Sequence, residues 1–595
     1  MTIIEDVEQV SWNLEPLVEG KGPEGVDGLL DDADRVAEEL TAARGTLADI
    51  DAAGLASLMR KVEQVQVAIT RAGTYAGLRY AADANNPEHG ALLQKVQERA
   101  TAIGTKLIFI ELEWAALDDA KVDELLADDA VDFCRHHLRM ERRYRDHLLS
   151  EPEEKILAEK NVTGRSAWER LFDELISALE VTIDGEKKTF EEAASILSSP
   201  DRDQRRAVQE AITEALKPGL KTRSFLFNTI LADKAIDDRL RNYPNWIRSR
   251  NLSNEASDES VQALVDAVVA RYDIPQRWYG LKAKAWGLDR IADYDRIASL
   301  TDDDERVEWP EAIDIVLESY ASFSPDLARL ARQFFEDRWV DAPVRPGKRL
   351  GAFCSYSVPS LHPYVFLNFT HKRKDVLTMA QELGHGLHAA LSRPQGIFHF
   401  HTPLTVAETA SVFGETVTVG RLLDEAPDAS SRFSLMAESV ERSIATVFRQ
   451  IAMNRFEDTV HNARRSEGEL STERINELWT ETQGKMFGDS VEITDNYRVW
   501  WSYIPHFIGS PGYVYAYAYG ELLALAVYKR YRDVGPAFVP KYIEMLSAGG
   551  SMPPEELGKI VDCDLTDPDF WSGGIQIIED QLNAAEAAGK EAGIF

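Results

Sequence analysis

The chain has 595 residues, with 66 Lys and Arg against 100 Asp and Glu, a net charge of −34. A hydrophobic fraction of 44% beside 28% charged residues belongs to a folded globular protein, which excludes global disorder. The acidic balance argues against nucleic-acid phosphates or anionic membranes as partners, since both demand an excess of Lys and Arg. Solubility or tolerance of high salt accounts for the charge, and cationic or neutral partners stay open. At about 150 residues per domain the length predicts about four units, which a large helical protein can merge.

The N-terminus, MTIIEDVEQVSWNLEPL, is acidic without an apolar core and does not read as a secretory signal. Behind Gly22, Pro23 and Gly25, Leu29, Ala33, Val36 and Leu40 recur at helical spacing, as do Leu55, Leu58, Val62 and Val65. Asn86 and Pro87 open a longer helical pattern running toward Leu117. A soft break near Pro200, in SSPDRDQRR, divides an N-terminal helical domain, 1–200, from the remainder, 201–595. Ser324 and Pro325 mark a further helix start, with Leu327, Leu330 and Phe334 behind them. From Leu350 to Thr370 the pattern changes to LGAFCSYSVPSLHPYVFLNFT, which predicts two short strands joined by a turn. Cys134, Cys354 and Cys563 are few, scattered and odd in number, so neither a disulfide framework nor a Cys-type zinc site is expected, and a reducing cytoplasm is the default address. The apolar stretch around Leu522 to Val527 is far shorter than the roughly 20 residues that span a bilayer.

DVLTMAQELGHGLHAAL predicts a helix over Asp375–Leu391. At about 100° per residue, Thr378, His385 and His388 fall within about 60° of Gln381, with Glu382 at the flank. Val376, Met379, Leu383 and Leu387 cluster opposite. The wheel alone favours a solvated polar stripe over a functional face. Gly384 and Gly386 cost about 1 kcal/mol each relative to Ala, which makes sense if something approaches the backbone closely. Q-E-L-G-H is one residue away from H-E-x-x-H, in which two His one turn apart bind zinc and the flanking Glu is general base. A catalytic zinc takes three protein ligands. Further along, TVAETASVFGE supplies Glu408 and Glu415, seven residues apart on one helical stripe. Glu408 suits a third ligand and Glu415 a carboxylate that orients a ligating imidazole; any two exposed glutamates would look the same.

NFTHKRKDVLTMAQELGHGLHAAL, TPLTVAETASVFGE, IPHFIGSPGYVYAYAYG and DPDFWSGG, in that order, resemble the core of the oligoendopeptidase F branch of the thimet oligopeptidase family. GAFCSYSVPSLHPYVFLNFT resembles the wall of that family's cleft, and the likeness runs from about Lys348 to Gly574. The resemblance implies a mostly α, clam-like, two-lobed metallopeptidase with a deep channel and a small β-sheet beside the active-site helix, with 201–595 as the catalytic domain. It implies a cytoplasmic zinc endopeptidase that holds one Zn²⁺ and hydrolyses short peptides, with no nucleic-acid or membrane partner. Carried over position by position, His385 and Glu408 match metal ligands, Gln381 stands where the family has a ligating His, and Glu382 matches the general base. His506, Tyr513 and Tyr517 match the segment that meets the substrate and its oxyanion. Tyr513 and Tyr517, four apart, are expected to present two phenols from one helical face, while Tyr515 and Tyr519 read as packing.

Three positions depart from the family pattern: Gln381, Gly512 where a bulky aromatic is usual, and His371 where a small residue is usual. A neutral amide oxygen is a poor zinc ligand beside imidazole nitrogen, so zinc affinity and turnover are expected to be strongly reduced. Three explanations fit: a peptidase disabled at 381, a natural non-catalytic peptide binder, or a rearranged site using Gln381, a water or His388. Because the other matching site residues are retained, the pattern reads as a recent or deliberate change in an otherwise working enzyme.

Overall fold

The computed structural model describes residues 6–300, 306–349 and 351–595; the first five residues of the acidic N-terminus and Leu350, at the head of the predicted strand pair, lie outside them. The chain is mostly helical, as its sequence predicts. Among the described residues the strands are short: β1 (Glu180–Ile183), β2 (Glu186–Thr189), β3 (Ile291–Ala292), β4 (Val340–Pro343), β5 (Phe353–Ser355), β6 (Tyr364–Phe369) and β7 (Val491–Glu492). β1 and β2 form an antiparallel hairpin, and β3 pairs in parallel with β7. The third sheet has β6 at its centre, parallel to β4 and antiparallel to β5. The predicted strand pair is therefore present as β5 and β6, joined by β4 from upstream.

The fold divides into two compact units, each assembled from three stretches of chain. The first comprises Met1–Ala158, Asp304–Arg421 and Val527–Cys563. Its N-terminal helices are α1 (Pro23–Leu40), α2 (Ala52–Ala82) and α3 (Pro87–Ala116). Their starts follow capping chemistry: Asp51 accepts from Gly54 N at 2.8 Å, and Asn86 accepts from Glu88 N at 3.0 Å with Pro87 at the first helical position. Leu30, Leu55, Tyr75 and Trp114 bury into one core that extends to Tyr364 and Phe366 of β6. Trp12 bridges them, edge-on to Tyr364 at 6.1 Å and against Phe366 at 5.7 Å.

β6 leads directly into α4 (Arg373–Ser392), close to the predicted Asp375–Leu391. Asp375 fixes its entry, accepting from Thr370 N at 2.7 Å and Lys372 N at 3.0 Å. Val376, Met379, Leu383 and Leu387 are all buried, as the wheel requires. Opposite runs α5 (Leu404–Glu425). The two glycines of the motif have the predicted close neighbours. A Cβ on Gly384 would overlap the Ala410 carbonyl of α5, and one on Gly386 would overlap the Phe334 ring. On the other side of the crossing, a Cβ on Gly414 would run into the Tyr320 hydroxyl, which donates to the Ala380 carbonyl at 2.9 Å. The α4 and α5 backbones thus touch where only glycine fits.

The second unit comprises Glu159–Asp303, Leu422–Ala526 and Asp564–Phe595. α6 (Ala429–Ser443) passes through a π-helical turn, Ile444–Phe448, into α7 (Arg449–Glu467). Further along, α8 (Tyr515–Val534) belongs to this unit as far as Ala526, and α9 (Pro568–Glu591) lies in its last stretch. Phe456 of α7 meets Trp479 at 5.2 Å and Phe507 at 5.1 Å, and Phe227 stacks on Trp501 at 5.5 Å, an aromatic core that anchors the short His506–Gly509 helix.

Gly384→Ala should destabilise the chain by about 1–3 kcal/mol, because the extra methyl can be placed only by separating α4 from α5. Chemical denaturation reads this as a lower midpoint; an unchanged midpoint would contradict the crossing described.

Candidate active site

Gln381, Glu382, His385, Glu408 and Glu415 all belong to the first unit. The α4–α5 crossing brings His385 Nε2 to 3.6 Å from Glu408 Oε2, an ion-pair distance rather than a hydrogen bond. Ser411, one turn on from Glu408, donates its hydroxyl to Glu408 Oε2 at 2.9 Å. Gln381 and His385 are half-buried, one turn apart on the same side of α4. Glu382 and Glu415 are buried, with 5% and 4% of their surfaces exposed.

Burial disfavours the charged form of each of these groups, raising the carboxyls and lowering the imidazoles. It pushes the Glu382 carboxyl up to about 7, with the His385 charge opposing and Glu408 adding to the rise. Burial acts the same way on Glu408, but His385 and Ser411 outweigh it and hold that carboxyl below its ordinary value. His385 is raised: burial opposes its charge, and Glu408, Glu382 and the Ala407 backbone together prevail. His388 behaves differently from the expected polar stripe. It is fully buried, neither ring nitrogen has a hydrogen-bond partner, and burial drives its pKa down to about 3, with His385 adding to the fall. The helix wheel groups His388 with Gln381 and His385, but the ring is packed edge-on to Tyr356 at 6.4 Å.

A catalytic zinc requires three protein donors. His385 and Glu408 are two of the right kind, and the third place on α4 is held by the Gln381 amide. Among the described residues no group of three or more His, Cys, Asp and Glu side chains is arranged to hold a metal ion. The residues present therefore do not complete a zinc site, and His388 does not fill the gap.

His506, Tyr513 and Tyr517 lie in the second unit, and the structure brings the three together. His506 Nε2 is 3.2 Å from the Tyr517 hydroxyl, and the Tyr513 and Tyr517 rings meet edge to face at 5.0 Å. The expectation of two phenols on one helical face is corrected. α8 begins at Tyr515, so Tyr513 stands in the turn before it. That turn is built around Gly512, whose φ of +76° favours glycine and whose Cβ would lie 2.5 Å from Ile247 Cδ1. A bulky residue at 512 would not fit. His371, the other departure, sits at φ +65°, a left-handed conformation that costs a residue with a side chain about 1 kcal/mol or more. Tyr515 and Tyr519 are packing residues as expected: both are fully buried, Tyr515 accepting from Asn254 Nδ2 at 2.9 Å and Tyr519 lying edge-on to Trp571 at 4.5 Å.

Several groups at these clusters carry no motif. Cys354 lies on β5 and Tyr356 directly follows the strand's last residue, two positions on, the spacing that shares one face of an extended chain. The charges of Glu382 and Cys354 reach Tyr356, whose pKa burial lifts well above the ordinary phenol value, and its hydroxyl has no partner. In the second unit, Glu457 of α7 accepts from Gly512 N at 2.8 Å, and Arg250 Nε donates to the Pro511 carbonyl at 3.3 Å, so both hold the Tyr513 turn. Strand alternation could have suggested Tyr356; nothing in the local sequence points to Glu457.

A mostly helical fold carrying Q-E-L-G-H on α4 and Glu408 across from it on α5 is that of a helical metallopeptidase scaffold. Residues 195–577 match the family model described as Peptidase family M3, and residues 113–180 match that described as Oligopeptidase F. The chain belongs to peptidase family M3, whose members are oligopeptide hydrolases and generally zinc-dependent. It is similar to oligopeptidase PepF of Bacillus subtilis (strain 168), 27% identical over 555 residues covering 91% of this chain and 82% of that protein. An oligoendopeptidase F homolog of Lactococcus lactis is 24% identical over 90% of both chains. The crystal structure of oligoendopeptidase-F from Enterococcus faecium superposes with a TM-score of 0.74 at 20% identity, over 94% of this chain and 98% of that one.

Glu457 supplies a pH test of the Gly512 turn. It is 1% exposed, and burial pushes its carboxyl up to about 8 from 4.5, with the Gly512 N–H and the Arg250 charge opposing. The folded chain therefore keeps a proton that the unfolded chain releases between those values, so this group lowers stability as pH rises through that window and adds nothing further above it. Glu457→Gln keeps an acceptor for Gly512 and removes the ionisable group. Its stability relative to the unaltered chain should rise by about 1 kcal/mol or more between pH 5 and pH 8. Denaturation at the two pH values checks this; a difference that does not change with pH would contradict it.

Proposed function

We propose that the chain binds short peptides and retains the scaffold of a zinc-dependent oligoendopeptidase, with hydrolysis strongly reduced or abolished by Gln381. The observation that carries this reading is the donor pair, His385 Nε2 and Glu408 Oε2 at 3.6 Å, with an amide in the third place. Two donors bind zinc more weakly than three, and the neutral amide oxygen adds little for this metal. Residues 201–595 are assigned as the catalytic portion and 1–200 as the N-terminal helical domain.

The chain's own groups keep the roles such a site needs. Glu382, buried and titrating near neutrality, is suited to take a proton and hand it to a leaving amine. Glu415, buried on α5 seven residues beyond Glu408, is assigned to orienting a ligating imidazole. Tyr513 and Tyr517, with His506 at 3.2 Å from the Tyr517 hydroxyl, are assigned to donating hydrogen bonds to the oxyanion of a peptide carbonyl. The free state of Cys134, Cys354 and Cys563 supports a reducing, cytoplasmic address.

A second reading, a peptide-binding protein without catalysis, draws on the same incomplete donor set. Both readings place short peptides on the protein. Incubating the unaltered chain with short peptides, with and without a metal chelator, separates them. Binding is expected under both conditions. Slow cleavage abolished by the chelator would support residual zinc chemistry, and no cleavage would support the binder. Chelator-resistant cleavage, or no binding of any peptide, would overturn the proposal.

A further inference from the structure

A cavity of about 510 Å³ lies within the first unit, and none of its lining residues belongs to α4 or α5. Its walls come from residues 11–15, from the end of α2 with the link into α3, and from β4 with the turn behind it. Backbone hydrogen bonds stitch these stretches together. Ala342 N donates to the Val10 carbonyl at 3.3 Å, Ala84 N to the Gly347 carbonyl at 2.7 Å, and Arg349 N to the Ala81 carbonyl at 2.9 Å. β4 and β5 are the two edges of their sheet, so the cavity borders the edge remote from Tyr356. Its volume falls in the range of about 300–1,000 Å³ that small-molecule sites occupy.

Arg79 and Asp83, one turn apart at the end of α2, both line it. The half-buried Arg79 guanidinium is held in place, donating to the Tyr75 hydroxyl at 2.9 Å and to His89 Nε2 at 3.0 Å. A guanidinium only donates, so His89 accepts there, and its Nδ1 carries the hydrogen donated to the Asp83 carbonyl at 3.0 Å. Both holders are therefore neutral and leave the Arg79 charge uncompensated. The Asp83 carboxylate lies against Gly347, which has φ +82° and whose Cβ would come 2.6 Å from Asp83 Oδ1. Among the described residues neither Arg79 nor Asp83 makes an ion pair. The other charges at the cavity are engaged. Arg345 donates to both oxygens of Asp341 at 2.5 Å, Lys348 Nζ lies 2.6 Å from the same carboxylate, and Glu15 accepts from Gly22 N at 3.1 Å. Among the described lining residues the cavity thus offers one free charge of each sign, beside the rings of Trp12 and Tyr75.

We infer that this cavity binds a small zwitterion, with its carboxylate on Arg79, its ammonium on Asp83 and an apolar or aromatic body against Trp12. The guanidinium fork matches a carboxylate with parallel donors, and a carboxylate accepts charge-assisted bonds from an ammonium. A ligand of single charge would pair with one of these groups and leave a like charge beside it. A zwitterion supplies both countercharges in one molecule, and the indole face covers its side chain. Free α-amino acids and dipeptides share this chemistry. The inference goes beyond the peptidase reading and does not rest on it, because the cavity shares no residue with the α4–α5 site.

The experiment measures dissociation constants of the full chain for L-phenylalanine, glycyl-phenylalanine, N-acetyl-phenylalanine and phenylalanine amide. The last two lack the ammonium and the carboxylate respectively. The measurement is repeated on Arg79→Gln and Asp83→Asn, with helicity checked by circular dichroism. Charge-assisted contacts at both ends predict that a zwitterion binds about 10-fold or more tighter than either singly charged form. Tighter binding of phenylalanine identifies the source as a free amino acid, and tighter binding of glycyl-phenylalanine as a dipeptide. Arg79→Gln should remove the advantage over the amide, and Asp83→Asn the advantage over the N-acetyl form. If one variant loses helicity, the other decides, and the four ligands on the unaltered chain test the charge requirement by themselves. Zwitterions that bind no tighter than the singly charged forms, or an advantage that survives either substitution in a folded variant, overturn the inference and leave the peptidase reading untouched.

Discussion

The contact of α4 and α5 through Gly384 and Gly414 decides what this protein can do chemically. Two helical backbones meet where a single methyl would not fit, and the Tyr320 hydroxyl, bonded to the Ala380 carbonyl at 2.9 Å, closes the same crossing. His385 comes directly after Gly384 on one helix, and Glu408 lies two residues before Ala410 on the other. Their 3.6 Å approach is thus a consequence of packing. Packing alone brings the two side chains together, and the amide at 381, one turn from His385, leaves that geometry standing.

The electrostatics arise from the same burial. Glu382 is pushed up to about 7 and His388 down to about 3, while His385 and Glu408 favour each other's charged forms. A carboxyl and an imidazole that face each other in a half-buried pair offset part of the desolvation that either charge would suffer alone.

Much of this was legible in the sequence where one short segment carries the information. The periodicity over Asp375–Leu391 located α4 to within two residues, and the Phe, Tyr and Val between Leu350 and Thr370 located β5 and β6. The helix cost of Gly384 and Gly386 correctly signalled close neighbours on α4. The rest depends on what a segment packs against. A helical wheel put His388 on the polar face, but the wheel does not include Tyr356, which covers it. Tyr513 and Tyr517 have helical spacing, but the positive φ of Gly512 keeps Tyr513 out of the helix. β4, four residues ending in Pro343, is too short for a periodic signal. Glu457 reaches the Tyr513 turn from more than fifty residues away in sequence. Each compact unit, built from three separate stretches, likewise cannot be read from a linear boundary.

The central claim is that a competent peptidase scaffold lacks one metal donor. It is tested most directly by Gln381→His, measured beside the unaltered chain for bound zinc and peptide cleavage on the same samples. The account predicts that the His form holds about one zinc per chain and cuts short peptides, while the unaltered chain does both far more weakly or not at all. A His form that binds zinc and still cuts no peptide would contradict it.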